Sequence, residues 1–273
     1  WNDPFMPWQK NNLFFASIDN DGELKKIKKF SNMNINHNKN VSFFQPYWIN
    51  ANLLVCSEDS SGWWNLLFLD ISNIENIVLK KRIIKNSSEY GSPQWVSGIT
   101  FFSGNIKNLF CLSKKENSWV LEHYQDLLCI KKLNLPFSSI SDFAVCKKKL
   151  ALRGSNSICF NYLIELDFEV KNSVNLLKDI SFKSVNKYSE PESFWFKGFN
   201  NQLTHSFIYK PLIKRFRKPP LIIKAHSGPT SCFDGSLNSE VQYWASLGFT
   251  VAEVNYGGSS DFGREYRERL NYK

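Results

Sequence analysis

Over the first 180 or so residues, short apolar runs alternate with turn residues and helical spacing is almost absent, a pattern that predicts successive β-strands. Residues 13–18, then Asp19, Asn20, Asp21 and Gly22, then residues 23–27 read as a hairpin, because Asp-Gly supplies the positive φ of a tight turn. After about residue 185 the pattern changes. Pro191, Pro211, Pro219 and Pro220 break up strand-like pieces at 193–196 and 205–209. From Leu221 the order becomes strand (221–225), helix with Val241, Trp244, Ala245 and Leu247 on one face, and strand (249–254), with Gly248 closing the helix. Such alternation predicts an α/β layer.

The strand-rich part contains a repeat. Phe44, Gln45, Pro46, Tyr47 and Trp48 lead into apolar runs at 53–57 and 65–69, and Tyr90 through Pro93 to Trp95 lead into runs at 99–102 and 108–112. Pro46 and Pro93 lie 47 positions apart, and a third copy from Asp3 to Trp8 places Pro7 39 positions before Pro46. A period of roughly 40 to 50 residues holding several short strands is the size of one four-stranded propeller blade. Trp48, Trp63, Trp64 and Trp95 are expected to fill cores between blades rather than bind a ligand.

Composition narrows the function classes. With 42% hydrophobic and 15% aromatic residues the chain is folded rather than disordered. No run of about 18 apolar residues occurs, so no helical membrane span is expected. Cys56, Cys111, Cys129, Cys146, Cys159 and Cys232 are scattered without a Cys-x-x-Cys pair and read as reduced core residues of a cytoplasmic protein. The net charge of +9 invites a nucleic-acid reading. Its lysines are dispersed, at 25, 26, 28 and 29, 80 and 81, 131 and 132, and 147–149, beside turn or strand-edge signals. Edge lysines that block strand aggregation account for them, and no nucleic-acid partner is expected. No clustered Cys/His motif suggests a metal, and no cofactor is expected.

Candidate chemistry lies in two loops. His226, Ser227, Gly228, Pro229 and Thr230 follow the first strand of the α/β unit, where functional groups gather in open sheets. A glycine there can turn a backbone N–H toward a ligand, although these five residues alone suit an ordinary tight turn better. A second loop, from Asn255 through Tyr256, Gly257, Gly258, Ser259, Ser260, Asp261, Phe262 and Gly263, follows the next strand and runs into a helical segment at 264–270. The two loops together resemble the His-Gly-Gly-Pro and Asn-Tyr-Arg-Gly-Ser segments that open the catalytic domain of serine peptidases of the prolyl oligopeptidase family. Trp1 to Trp8, Phe44 to Trp48, Ser57 to Trp64 and Tyr90 to Trp95 resemble the propeller of the dipeptidyl aminopeptidase and acylaminoacyl-peptidase branch.

The resemblance implies a partial all-β propeller at 1–185, followed by a linker and the start of an α/β-hydrolase domain at 186–273. It implies a short peptide as substrate, an oxyanion donor at the Gly228 N–H, and His226 as support for its loop. Ser227 stands where the family has glycine and Gly257 where it has arginine. Neither Gly-x-Ser-x-Gly nor the later Asp and His of a triad occurs, so nucleophile and base are expected beyond Lys273, and both ends of the chain read as cut. His37, His123 and His205 lack the context of a base. The rival reading is a propeller protein that has lost its hydrolase half and only binds partners.

Overall fold

The structure, a computed structural model, describes residues 4–31, 40–85, 87–95, 97–115, 117–146, 149–167, 173–179, 187–228 and 230–271. Expectations that fall on Trp1, Asn2, Asp3, His37, Lys147, Lys148 and Pro229 lie outside these residues. The chain divides into two compact units, Trp1–Glu116 with Val120–Leu133, and Asn117–Trp119 with Asn134–Lys273.

Alternation of apolar and polar residues produces a series of antiparallel sheets. β1 (Phe14–Ile18) and β2 (Leu24–Lys29) pair through Ile18 and Leu24, and Gly22 at φ +84° makes their turn, as the Asp-Gly signal predicts. Three four-stranded sheets follow: β3 (Phe43–Trp48), β4 (Leu53–Glu58), β5 (Asn65–Asp70) and β6 (Val78–Ile83); β7 (Phe102–Asn105), β8 (Asn108–Lys115), β9 (Ser118–Gln125) and β10 (Leu128–Leu135); β11 (Ser139–Cys146), β12 (Lys149–Asn156), β13 (Cys159–Asp167) and β14 (Ser173–Asp179). Each is a blade-sized meander, and among the described residues no sheet closes into a barrel. In the first unit, Leu13, Phe15 and Phe30 pack with Phe43, Leu54, Cys56, Leu67 and Leu69, so the first hairpin and the next sheet share a core. Lys25, Lys26, Lys28 and Lys29 lie on β2, Lys80 and Lys81 on β6, and Lys131 and Lys132 on β10, all edge strands. That placement agrees with their reading as guards against edge pairing, but Lys149 opens β12, an inner strand paired on both sides, and is not an edge lysine.

Three further expectations need correction. Trp64 is buried, but Trp48 is 50% and Trp95 52% exposed. Trp48 ends β3, a strand whose burial alternates, and points to its open face, while Trp95 packs its ring on Trp8 at 4.4 Å and leaves about half of its own surface exposed. The repeat also does not fold identically: Phe44 to Trp48 lie in β3, whereas Tyr90 to Trp95 form no strand and regular pairing resumes at Phe102. Within the second copy Gly91 lies against Phe44 and Trp64, where a Cβ would come within 3.1 Å of both rings. Of the six cysteines, which form no disulfide, Cys129 and Cys146 are exposed rather than core residues.

The last sheet is mixed. β15 (Pro191–Lys197), β16 (Leu203–Tyr209), β17 (Leu221–Ala225) and β18 (Thr250–Asn255) adopt the order β15-β16-β18-β17, with β17 and β18 parallel. The crossover between that pair is α1 (Ser239–Ser246). Asn238 caps α1 by accepting from the Glu240 and Val241 N–H groups, and Gly248 ends the connection at φ +95°. Val241 packs on Phe207, Tyr209 and Val251, with Ile222, Phe233 and Trp244 at the margin. A short helix, α2 (Gly263–Arg267), follows the second loop and continues as a 3-10 turn over Glu268–Leu270.

Candidate functional site

Parallel pairing brings the two candidate loops together. With Leu221 opposite Thr250 and Ala225 opposite Val254, β17 and β18 end side by side, so residues 226–230 and 256–262 leave the same end of the sheet. The Ser260 N–H donates to the Ser231 carbonyl at 2.9 Å, and the Cys232 thiol to the Asp261 carboxylate at 3.0 Å. Asn255, fully buried at the end of β18, holds the strand of loop beyond them: its Oδ1 accepts from the Phe233 N–H at 2.7 Å and its Nδ2 donates to the Phe233 carbonyl at 3.0 Å.

The half-buried His226 ring stacks on Tyr256 at 4.4 Å and 19° and meets the edge of Phe233 at 5.5 Å. Its Nε2 lies 2.7 Å from Ser259 Oγ, and that hydroxyl donates in turn to the Tyr256 carbonyl at 2.7 Å. Ser259 thus spends its only proton on the carbonyl, and His226 Nε2 is the donor of the pair. The arrangement orients an imidazole but does not activate a serine, because an activated serine would give its proton to the ring. The Tyr256 hydroxyl reaches back to the first loop, 2.9 Å from the His226 carbonyl and 2.8 Å from the Gly228 carbonyl. Burial raises the pKa of that hydroxyl, which keeps its proton available for donation. Gly228 is exposed at φ +57°, a conformation that favours glycine, and no acceptor for its N–H stands among the described residues.

Gly257, where the resemblance expects arginine, is backed by another arginine. A Cβ there would come within 3.1 Å of the Arg269 Cβ, and the Arg269 guanidinium lies 3.9 Å over the Tyr266 ring while donating to the Leu203 carbonyl at 2.7 Å. The stem of Arg269 therefore fills the space beside residue 257.

The two other described histidines serve packing. His205 is buried; Asn255 Nδ2 donates to its Nδ1 at 3.0 Å, which leaves Nε2 as the donor to Ser193 Oγ at 3.0 Å. His123 stacks on Phe110 at 4.4 Å with its Nε2 3.1 Å from Asn108 Oδ1, and burial, helped by Lys131, lowers its pKa. Sequence reasoning named His226 and Gly228 but missed Tyr256, Ser259 and Arg269 as residues that shape the site; only their place beside Gly257 and Gly258 after a strand hinted at a role.

No family model matches the chain, and no curated protein matches it in sequence. Solved structures do match. A puromycin-hydrolysing peptidase of Mycobacterium tuberculosis superposes on 99% of this chain and 41% of its own length with a TM-score of 0.83 at 23% identity. A second puromycin hydrolase structure gives 0.83 at 24% identity over the same shares. Prolyl oligopeptidase B of Galerina marginata gives 0.73 at 14% identity, covering 96% of this chain and 37% of its own. The chain thus spans about two-fifths of the length of these structures. Across that span it has the fold shared by puromycin hydrolase and the prolyl oligopeptidases, which supports the resemblance read from the sequence.

Proposed function

We propose that the chain is part of a serine peptidase of the prolyl oligopeptidase family, that residues 186–273 open its α/β-hydrolase domain, and that Gly228 contributes an oxyanion donor with His226 supporting the loop. The substrate is a short peptide: one puromycin hydrolase structure is a complex with PGG and one prolyl oligopeptidase structure is bound to a 35mer. The reaction is acyl transfer to a serine that this chain does not contain. The serine oxygen attacks the scissile carbonyl carbon and its proton passes to a base. The carbonyl π electrons move onto oxygen, the amine leaves with a proton, and water then releases the acyl group. Gly228 acts where that oxygen becomes negative, because a preorganised N–H stabilises developing charge without reorganisation.

The observation that carries this reading is the Gly228 N–H, exposed at positive φ on a loop tied to its neighbour, at the carboxyl end of a parallel strand. Cytoplasmic residence is part of the proposal. It rests on six cysteines without a disulfide, and among the described residues no helix is long and apolar enough to cross a membrane.

The test uses protein expressed from the complete coding sequence that contains this chain, alongside the 273-residue chain itself. A fluorophosphonate should label the former and not the latter, and only the former should cleave peptidyl p-nitroanilides. Gly228→Pro removes the donor and should lower kcat by about 10²- to 10³-fold with little change in KM. Proline also fixes φ near about −65°, so Gly228→Ala, which keeps the N–H, serves as the control and should lose far less. Equal losses in both variants would reduce Gly228 to a turn residue. Absence of labelling in the complete protein would leave the rival, a propeller that only binds.

A further inference from the structure

The direction of the Gly228 N–H is not set by Gly228 alone. This N–H belongs to the peptide unit shared with Ser227, and in a planar trans peptide the N–H points opposite the carbonyl. A flip of that one unit, common where a glycine at positive φ follows a turn residue, would swing the N–H to the opposite side with little disturbance of the chain on either side. Something must hold the flanking units in place. The Tyr256 hydroxyl does so from both sides, 2.9 Å from the His226 carbonyl before the unit and 2.8 Å from the Gly228 carbonyl after it, with its one proton shared between the two acceptors. His226 adds a contact from its own side: its Nδ1 lies 3.3 Å from the Ser227 carbonyl, while its Nε2 engages Ser259.

We propose that Tyr256 is a positioning residue, which fixes the peptide between Ser227 and Gly228 so that the Gly228 N–H faces the developing oxyanion. Its own aim is fixed by a relay: Ser259 locks the His226 ring, and the ring, stacked 4.4 Å from Tyr256, holds the phenol against the loop. The proposal rests on the oxyanion reading of Gly228 and adds to it the group that keeps the donor aligned. Misplacement of a catalytic group by about 1 Å can cost on the order of 10²-fold in rate.

Tyr256→Phe in the complete protein tests it, since the ring and its stack remain and only the hydroxyl goes. The expected result is a fall in kcat of roughly 10- to 100-fold with KM within about threefold, because the lost alignment matters only where charge develops. Ser259→Ala should produce a smaller fall of the same kind, because it frees the imidazole that steers the phenol. Crystal structures of the parent and of Tyr256→Phe read the peptide directly. The Ser227 carbonyl should keep one direction in the parent and occupy two, or the flipped one, in the variant. Unchanged kcat in Tyr256→Phe, or a lower melting temperature with an unflipped peptide and parental kcat, would overturn the proposal. A parent without any peptidase activity would sink the oxyanion reading instead; the peptide direction in the two structures then decides the positioning role by itself.

Discussion

Replacing Lys85 with Met should destabilise the first compact unit, and by an amount that depends on pH. Glu122 on β9 is buried, with one oxygen in a short contact with Lys85 Nζ and 3.5 Å from Lys132 Nζ, and the other accepting from the Tyr90 and Tyr124 hydroxyls at 2.6 and 2.7 Å. Burial pushes its pKa up, but these donors together outweigh burial and hold the carboxyl below the usual glutamate range. Breaking a buried ion pair from one side typically costs about 3–5 kcal/mol. Here Lys85 remains 26% exposed and Lys132 and both phenols remain as partners, so a loss of about 2 kcal/mol is expected near pH 7. The sign follows from linkage. A lowered carboxyl pKa contributes stability that is present above the unfolded value, about 4.3, and is lost as pH falls through the folded value. Without its ammonium partner, burial dominates and the folded pKa moves up, so the variant gains relative stability on acidification. Urea unfolding of parent and Lys85→Met at pH 7 and pH 4, compared at equal m, should show the difference shrinking at the lower pH. A difference that is the same at both pH values, or under about 0.5 kcal/mol at pH 7, would refute the assignment of Glu122 as an ionised, ammonium-held carboxylate.

Other tests address packing and the second unit. Gly154→Ala places a Cβ 2.6 Å from the buried Phe137 ring and should cost about 1–3 kcal/mol in denaturant unfolding. Glu253 is the opposite case to Glu122: burial raises its pKa despite the Tyr209 hydroxyl at 3.0 Å and Lys224 Nζ at 3.7 Å, so its contribution is greatest below the unfolded pKa and falls as pH rises through the folded one. Glu253→Gln should therefore flatten the stability profile on the alkaline side of pH 4, and an unchanged slope would contradict the burial argument. The linker proposed to open residues 186–273 predicts that trypsin cuts first in the exposed stretch at Lys214, Arg215 and Arg217; first cuts within residues 226–262, read by mass spectrometry, would move that linker.

Much of the fold was legible because it depends on local pattern. The Asp-Gly turn between β1 and β2, the end of α1 at Gly248 and the strands on either side of that helix follow from conformations only a few residue types accept. Edge lysines were legible for the same reason, since a strand with charges at nearly every position, such as Leu24–Lys29, cannot lie inside a sheet. Trp48 was misread because side-chain burial is a property of the neighbouring sheet, and period-2 alternation does not say which face that neighbour covers; Trp95 lies outside any strand, where no period reports burial at all.

The site divides along the same line. A strand followed by a glycine-containing loop marked His226 and Gly228, since that is a statement about backbone and position. The residues that shape the loop act across 28 and 33 positions, through one phenol on two carbonyls and one serine on an imidazole, and no local pattern carries that information. Gly257 shows the limit most clearly. Read along the chain it is a missing arginine; in the folded unit it is the space that lets the Arg269 stem lie beside the loop and its guanidinium cover Tyr266, whose hydroxyl donates to the carbonyl of Asn255 at the end of β18. A departure from a family's motif can therefore leave a cation near the same place while changing the strand of contacts that holds it, which makes such departures a question about packing before they are a question about lost chemistry.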